Sequence, residues 1–373
     1  VEIANRPFVT IKPNHAIGYV KVDCIDKEFN VKCNPRIGYC VDNNRFVAVD
    51  LLDVAGLIPG SYKGEGLGNQ FLSDLNQADA LIHIVDASGS TNDKGEIIQP
   101  LSYDPVNDIK FLENELDMWY LGIIKKGWER FSRQVQQEKT EAHKAIAKQL
   151  SGLKVNEDIA QESILKLGLN NKLITAWNDD DLLPLASELR KRTKPMIIVA
   201  NKIDIQGTDK NIDRLKKEFP GYIIIPCSAE SELALKEANK HGLIKYIPGD
   251  SKFEVLKELN ENQRKALDFI KINILDSFKT TGVQDALDNA VFELLGYMAI
   301  FPGGVNKLSD QYGNILPDCF LLPKNSTALD FAFRIHTDIG NNFIKAINVK
   351  TKIPVGKDYK LKHRDVIEIM TKK

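Results

Sequence analysis

Met196-Ile197-Ile198-Val199-Ala200-Asn201-Lys202-Ile203-Asp204 is an apolar run that ends in polar residues, and its reading decides the fold. A nearly continuous apolar stretch of this length with polar residues at its carboxyl end marks a strand buried on both faces. Three further runs share the pattern: Phe46–Leu52 ending at Asp53, Ala80–Val85 ending at Asp86, and Tyr222–Pro226 ending near Ser228. Helical patterns at Asn69–Gln77, after a glycine-rich loop, and at Lys210–Phe219 alternate with them. Strands alternating with helices argue for an open, mostly parallel α/β sheet whose ligands bind outside the carboxyl ends of its strands.

The polar residues closing the strand carry specific chemistry. Asn201-Lys202-Ile203-Asp204 is an NKxD, a pattern chance supplies in roughly one chain in twenty of this size. A carboxylate at Asp204 can accept both the N1–H and the 2-amino hydrogens of guanine, which adenine does not offer. Asn201 ties the loop and reaches the base edge, while the stem of Lys202 covers the ring. Ser228-Ala229 follows the next strand, where the Ala229 amide is placed to donate to guanine O6. The alternative is that Asn201 and Asp204 merely cap a turn.

Asp53-Val54-Ala55-Gly56 is a DxxG, which puts a carboxylate at a strand end and a glycine amide within reach of a phosphate. The spacing alone carries nothing, because it recurs at Asp86–Gly89, Asp204–Gly207 and Asp310–Gly313, and chance supplies about one per chain. What raises Asp53 is its place after a buried strand and before a loop holding Gly56, Gly60, Gly64, Gly66 and Gly68, whose backbone rearranges cheaply.

Over a hundred residues separate Val85 from Met196, too many for a crossover. Ile109, Leu112, Leu116, Trp119 and Ile123 recur at helical steps, continued after a slip of register by Trp128, Phe131 and Val135, so a helical insertion is expected. Its Arg130–Lys148 stretch reads as a solvated face or a partner-docking surface. Helical patterns resume after Ser228 and run through Leu295, until Phe301-Pro302-Gly303-Gly304 breaks them. The last part, Ala299–Lys373, has 12 Lys plus Arg against 7 Asp plus Glu, a net of +5 that leaves −6 on the rest of a chain whose total is −1. It holds strand-like segments at Phe320–Leu322, Ala346–Val349 and Val366–Met370, and a helix at Ala328–Ile335 with Ser326 as a plausible N-cap.

Composition excludes several classes. Fifty Lys plus Arg against 51 Asp plus Glu is no polycation, so any nucleic-acid contact is a local patch. No apolar run approaches a membrane span and Val1–Thr10 does not read as a signal peptide, so no membrane is expected and the cytoplasm is the expected location. Cys24, Cys33 and Cys40 are spaced by neither a zinc knuckle nor a CxxC, and the five cysteines are read as reduced core or hairpin residues.

The order Pro7-Phe8-Val9-Thr10-Ile11-Lys12-Pro13-Asn14, Asp53-Val54-Ala55-Gly56-Leu57, Asn201-Lys202-Ile203-Asp204, Ser228-Ala229 resembles the Obg-like, YchF-related branch of P-loop GTPases in an archaeal-looking version. Leu316–Lys373, with LLPKNSTALDFAFRIHTDIG inside it, looks like a TGS domain, a ubiquitin-like β-grasp module. The resemblance implies a G domain over 1–95 and 196–298, the helical insertion over 96–195, and the TGS domain over 299–373. It implies GTP and GDP as ligands with Mg²⁺, Thr10 as the switch I magnesium ligand, Asp53 holding magnesium through water, and Gly56 facing the γ-phosphate. The site implied is thus Thr10, Asp53, Gly56 and Leu57 for catalysis, and Asn201, Lys202, Asp204, Ser228 and Ala229 for the nucleotide.

Two departures matter. Leu57 stands where a Ras-type GTPase has its water-positioning Gln, so a monovalent cation, another group or an activating partner has to position the water. No GxxxxGK[ST] occurs in the 373 residues. The resemblance places that loop just before Val1, in a βα unit of roughly thirty residues. Without it the chain is expected neither to bind GTP tightly nor to hydrolyse it. The function implied is a slow GTPase switch at ribosomes or RNA, with Lys357, Lys360, Lys362 and Arg364 as RNA-contact candidates. Phe331 and Phe333 are expected in the core, leaving Tyr359 and Phe343 as candidates for base stacking. The alternative is a non-catalytic partner-binding module with a nucleotide-incompetent G domain.

Overall fold

The computed structural model of the protein describes residues 14–54, 60–63 and 74–372. The chain divides into two compact units, one drawn from Val1–His15 and Leu52–Glu230, the other from Ala16–Leu51 and Ser231–Lys373.

The strands are β1 (Asn14–Asp23), β2 (Tyr39–Val41), β3 (Asn44–Asp53), β4 (Leu81–Asp86), β5 (Met196–Asn201), β6 (Ile224–Pro226), β7 (Ile244–Tyr246), β8 (Phe253–Val255), β9 (Tyr297–Pro302), β10 (Phe320–Pro323), β11 (Phe343–Asn348), β12 (Ile353–Val355) and β13 (Val366–Thr371). In the first unit β4, β5 and β6 form a parallel sheet in that order, with Asp86 level with Asn201. Residues Met196–Ala200 of the central strand are all buried, as their uninterrupted apolar run requires.

The insertion between β4 and β5 is helical, with helices Val106–Lys125, Trp128–Gln137, Ala142–Gln149, Glu157–Lys166 and Asp179–Thr193. Tyr120, Ile124, Val135, Ile146, Leu150, Leu185 and Leu189 share one core, and Trp128 stacks on Trp177 with ring centroids 6.0 Å apart. The last helix starts on a capping box of Asn178 and Asp181, with Asp179, Asp180 and Asp181 in its first turn and Arg190, Lys191 and Arg192 in its last, charges that complement the helix dipole. Arg190 is 1 % exposed and donates from Nε to Asp117 Oδ1 (2.7 Å), from Nη2 to Glu113 Oε1 (3.3 Å) and from Nη1 to the Tyr222 hydroxyl (3.3 Å).

Phe46–Leu52 departs from expectation. It belongs to β3, which pairs antiparallel with β2 and lies beside β1, and among the described residues it makes no pairing with β4, β5 or β6. The cause is the two-residue turn Asp42-Asn43, with φ of 47° and 61°, which pairs Val41 with Asn44. Two successive positive φ angles make a hairpin turn that Asn and Asp tolerate well. A second short hairpin, β7 with β8, interrupts the stretch after Ser228 that reads as helical.

The last sheet runs β10-β9-β13-β11-β12, with β9 and β13 parallel and the other pairs antiparallel. Helix Ala328–Ile335 packs Phe331 against Phe320 at 5.8 Å over Met298, Ile300, Ala346 and Ile367. Its N-cap is Thr327 and not Ser326: Thr327 Oγ1 accepts from the Asp330 amide while Asp330 accepts from the Thr327 amide. The Ser326 hydroxyl instead donates to Pro323 O at 2.8 Å. No helix among the described residues is long and apolar enough to cross a membrane.

Candidate functional site

The parallel register sets the site. Asp86 and Asn201 end adjacent strands at one level, and the loops after β4, β5 and β6 leave from the same edge. After β6, the Cys227 amide donates to Ala200 O (2.8 Å) and the Ile203 amide to Cys227 O (3.1 Å), which draws Ser228-Ala229 against the NKxD loop.

Within that frame the Ser228 hydroxyl donates to Asp204 Oδ1 at 2.7 Å and the Ala229 amide to Asn201 Oδ1 at 3.0 Å. Ser228 therefore fixes the rotation of the Asp204 carboxylate, and the carboxylate has acceptor capacity beyond that single bond. The Ala229 amide, read from sequence as a donor to guanine O6, is engaged with Asn201, so it reaches a base only by sharing or releasing that bond. Lys202 adopts φ of 70°, a left-handed conformation that costs a non-glycine residue about 1 kcal/mol or more. Its ammonium donates to Asp86 Oδ2 at 2.9 Å and Ser90 Oγ at 3.3 Å, which lays its stem from the end of β5 to the end of β4.

Asp86 was only one of several DxxG matches in the sequence, yet it organises this edge. Its carboxylate accepts from the Ser88 amide (3.0 Å), Ser88 Oγ (2.5 Å), Ser90 Oγ (2.9 Å), Thr91 Oγ1 (2.6 Å) and Lys202. Burial would raise its pKa, but the bonds from Ser88, Thr91, Lys202 and Ser90 prevail and lower it to about 2, so the anion persists at neutral pH. Gly89 closes the turn at φ of 57°, where a Cβ would meet Tyr103 O at 2.2 Å.

Asp53 closes β3 and is half-buried. Thr10, Gly56 and Leu57, and with them the expected magnesium and γ-phosphate contacts, lie outside the described residues. Further along the chain from Asp53, the buried carboxylate of Glu115 accepts from the Gly60 amide (2.9 Å) and the Tyr62 amide (3.1 Å). Sequence reasoning missed Glu115, although a carboxylate beside Leu116 on the apolar stripe was the available signal.

Of the expected RNA contacts, Lys357, Lys360 and Lys362 are exposed, with Lys360 Nζ donating to Asn325 O at 2.7 Å. Arg364 is committed elsewhere: it donates from Nε to Asp23 O (2.9 Å) and pairs with Glu28, which also holds Lys350 at 2.7 Å. The aromatic expectation is partly reversed. Phe331 is buried, but Phe333 is 45 % exposed, whereas Phe343 and Tyr359 pack on the core.

Three family matches tile most of the chain: "50S ribosome-binding GTPase" over residues 1–113, "Obg-like GTPase YGR210-like, G4 motif-containing domain" over 199–304, and "TGS domain" over 312–371. The chain is 49 % identical over 373 residues to an uncharacterised GTP-binding protein of Methanocaldococcus jannaschii, covering 99 % of this chain and 93 % of that one. It is 27 % identical over 360 residues to the ribosome-binding ATPase YchF of Mycoplasma pneumoniae, covering 92 % and 82 %. The crystal structure of a GTP-binding protein from Pyrococcus horikoshii OT3 superposes with a TM-score of 0.77 at 40 % identity, over 96 % of this chain and 93 % of that one.

Proposed function

Since the chain belongs to the Obg-like, YchF-related family of GTPases, we propose that it is a guanine-nucleotide switch that hydrolyses GTP slowly and acts at the ribosome. The relatives' names divide between GTP-binding and ATPase, so the base is the open term. One observation carries the guanine reading: Asp204, the carboxylate of an NKxD, is oriented by Ser228 at 2.7 Å with acceptor capacity to spare. Guanine's N1–H and 2-amino group complete such a carboxylate, whereas adenine's N1 lone pair opposes it. Asn201, Lys202 and Asp86 hold the loop that presents it.

Thr10 and Asp53 are the magnesium-side residues of this reading, with Gly56 at the γ-phosphate. Bound Mg²⁺ would neutralise charge developing on the phosphates. Leu57 leaves water positioning to a monovalent cation or an activating partner. A GxxxxGK[ST] loop, where a P-loop GTPase has one, supplies much of the phosphate affinity, while Asp204 addresses only the base in this reading. The test is single-turnover GTP hydrolysis by the full-length protein with and without ribosomes. Turnover of GTP but not ATP is expected, and nucleotide binding without any turnover favours the non-catalytic partner-binding reading.

The TGS domain is the proposed ribosome-facing or RNA-facing module, in a cytoplasmic setting. Lys357, Lys360 and Lys362 are exposed members of its positive excess, while Glu28 neutralises Arg364. Changing the three lysines to Ala is expected to reduce the slope of log affinity against log salt by about 2 to 3. Ribosome co-sedimentation across a salt series reads it, and an unchanged slope would move the contact to the helical insertion.

A further inference from the structure

Cys24, Asp26, Cys33 and Cys40 are scattered over spacings that match no metal motif, yet their ligand atoms all lie within 4.8 Å of one another. Cys24 follows β1 as the N-cap of the 3₁₀ turn Ile25–Phe29, Asp26 lies in that turn, Cys33 follows in the loop, and Cys40 stands on β2. The hairpin register and the left-handed Asn30, at φ of 52°, fold these pieces back on themselves.

We propose that these four side chains form a structural Zn²⁺ site, with three thiolates and the Asp26 carboxylate as its tetrahedral ligands.

The distances fit that ion. Zinc–sulfur bonds of about 2.3 Å at tetrahedral angles put two sulfurs about 3.8 Å apart, and a carboxylate oxygen about 3.5 Å from each. Cys24 Sγ and Cys33 Sγ are 3.5 Å apart, and Cys40 Sγ is 3.9 Å from Asp26 Oδ2. The sulfurs are too far apart for a disulfide and too close to be spread around a multi-iron core.

The carboxylate is prepared for the role. Asp26 is 2 % exposed. Its Oδ1 accepts from the Lys27 amide (2.8 Å) and Asn43 Nδ2 (3.0 Å), which leaves Oδ2 facing the thiols, with only the long Cys33 amide contact at 3.5 Å. These outer bonds orient a ligand as a second shell does. A buried carboxylate beside three thiols is costly unless a cation compensates it. Arg45, also buried, directs Nη1 and Nη2 to Leu316 O and Pro317 O at 2.9 Å each and reaches Cys33 only through its field, so no cation bonds the Asp26 carboxylate directly among the described residues. Thiolate ligands favour Zn²⁺ over Mg²⁺ or Ca²⁺, and the burial of three of the four residues makes the site closed, hence structural and not catalytic.

The ion would staple the segment that packs on the C-terminal sheet. Cys24, Ile25 and Cys33 share a core with Phe301, Leu316 and Val366, and the amides of Asn34 and Arg36 donate to Ile315 O and Pro317 O.

The test is metal analysis of the full-length protein, expressed with zinc and purified under reducing conditions. About one zinc per chain is expected, falling to below about 0.2 in Cys40→Ser and in Asp26→Asn. Because a variant could misfold, the parent protein is also stripped and loaded with Co²⁺. An intense visible band of tetrahedral cobalt with sulfur-to-cobalt charge transfer is expected. A zinc-free parent, zinc retained in both variants, an octahedral cobalt spectrum, or a Cys24–Cys33 disulfide found by intact mass would each overturn the proposal.

Discussion

Replacing Asp204 with Asn in the full-length protein is expected to lower GTP affinity by about 10² to 10⁴-fold and to raise affinity for xanthosine triphosphate. The Ser228 hydroxyl donates to Asp204 Oδ1, and the amide oxygen of Asp204→Asn can keep that bond. The amide nitrogen is then turned towards the base, where it opposes the N1–H and 2-amino donors of guanine. Two hydrogen bonds to a charged acceptor are lost, at about 1.5 to 3 kcal/mol each, and like donors are left facing one another. Xanthine carries a 2-oxo group in place of the amine and accepts from the new donor. Competition binding with GTP and xanthosine triphosphate measures the exchange. A variant that keeps GTP affinity within a few-fold and gains none for xanthine would show that Asp204 does not contact the base.

The second large effect belongs to Arg190, whose buried guanidinium joins Asp117 and Glu113 of one helix to Tyr222. Arg190→Ala removes a cation and leaves two carboxylates without it, and breaking a buried pair costs about 3 to 5 kcal/mol. Asp117 and Glu113 keep partial solvent access, which favours the lower end. About 3 kcal/mol lowers the melting temperature of a unit this size by roughly 6 to 12 °C. Arg190→Lys is expected to recover only part of the loss, because an ammonium lacks the planar fork that serves three acceptors at once. Calorimetry of the two variants decides it, and an Ala variant melting with the parent would mean that the network contributes nothing net.

The strand-end arrangement proposed to read the base was legible because its information is local. Met196–Ala200 is buried as a continuous run, and NKxD and Ser-Ala follow strands whose ends the parallel register aligns. Lys202 and Asp86 were not legible as partners, since they lie 116 positions apart across a helical insertion and only the pairing of β4 with β5 unites them. Phe46–Leu52 misled for the opposite reason. Its composition is that of a buried strand, but the Asp42-Asn43 turn, two residues upstream of Arg45, sends it into a hairpin. The cysteines show the same limit, for intervals of nine and seven positions acquire meaning only once that hairpin has folded them together. Ser326 and Thr327 are both good N-caps, and only Thr327 has Asp330 three residues on to reciprocate.

Affinity of the full-length protein for GTP, GDP and ATP, measured with Mg²⁺ under identical conditions, tests the central claim most directly. If Asp204, held by Ser228, reads N1–H and the 2-amino group, both guanine nucleotides bind at least about a hundredfold more tightly than ATP. Equal affinities, or a preference for ATP, would contradict it.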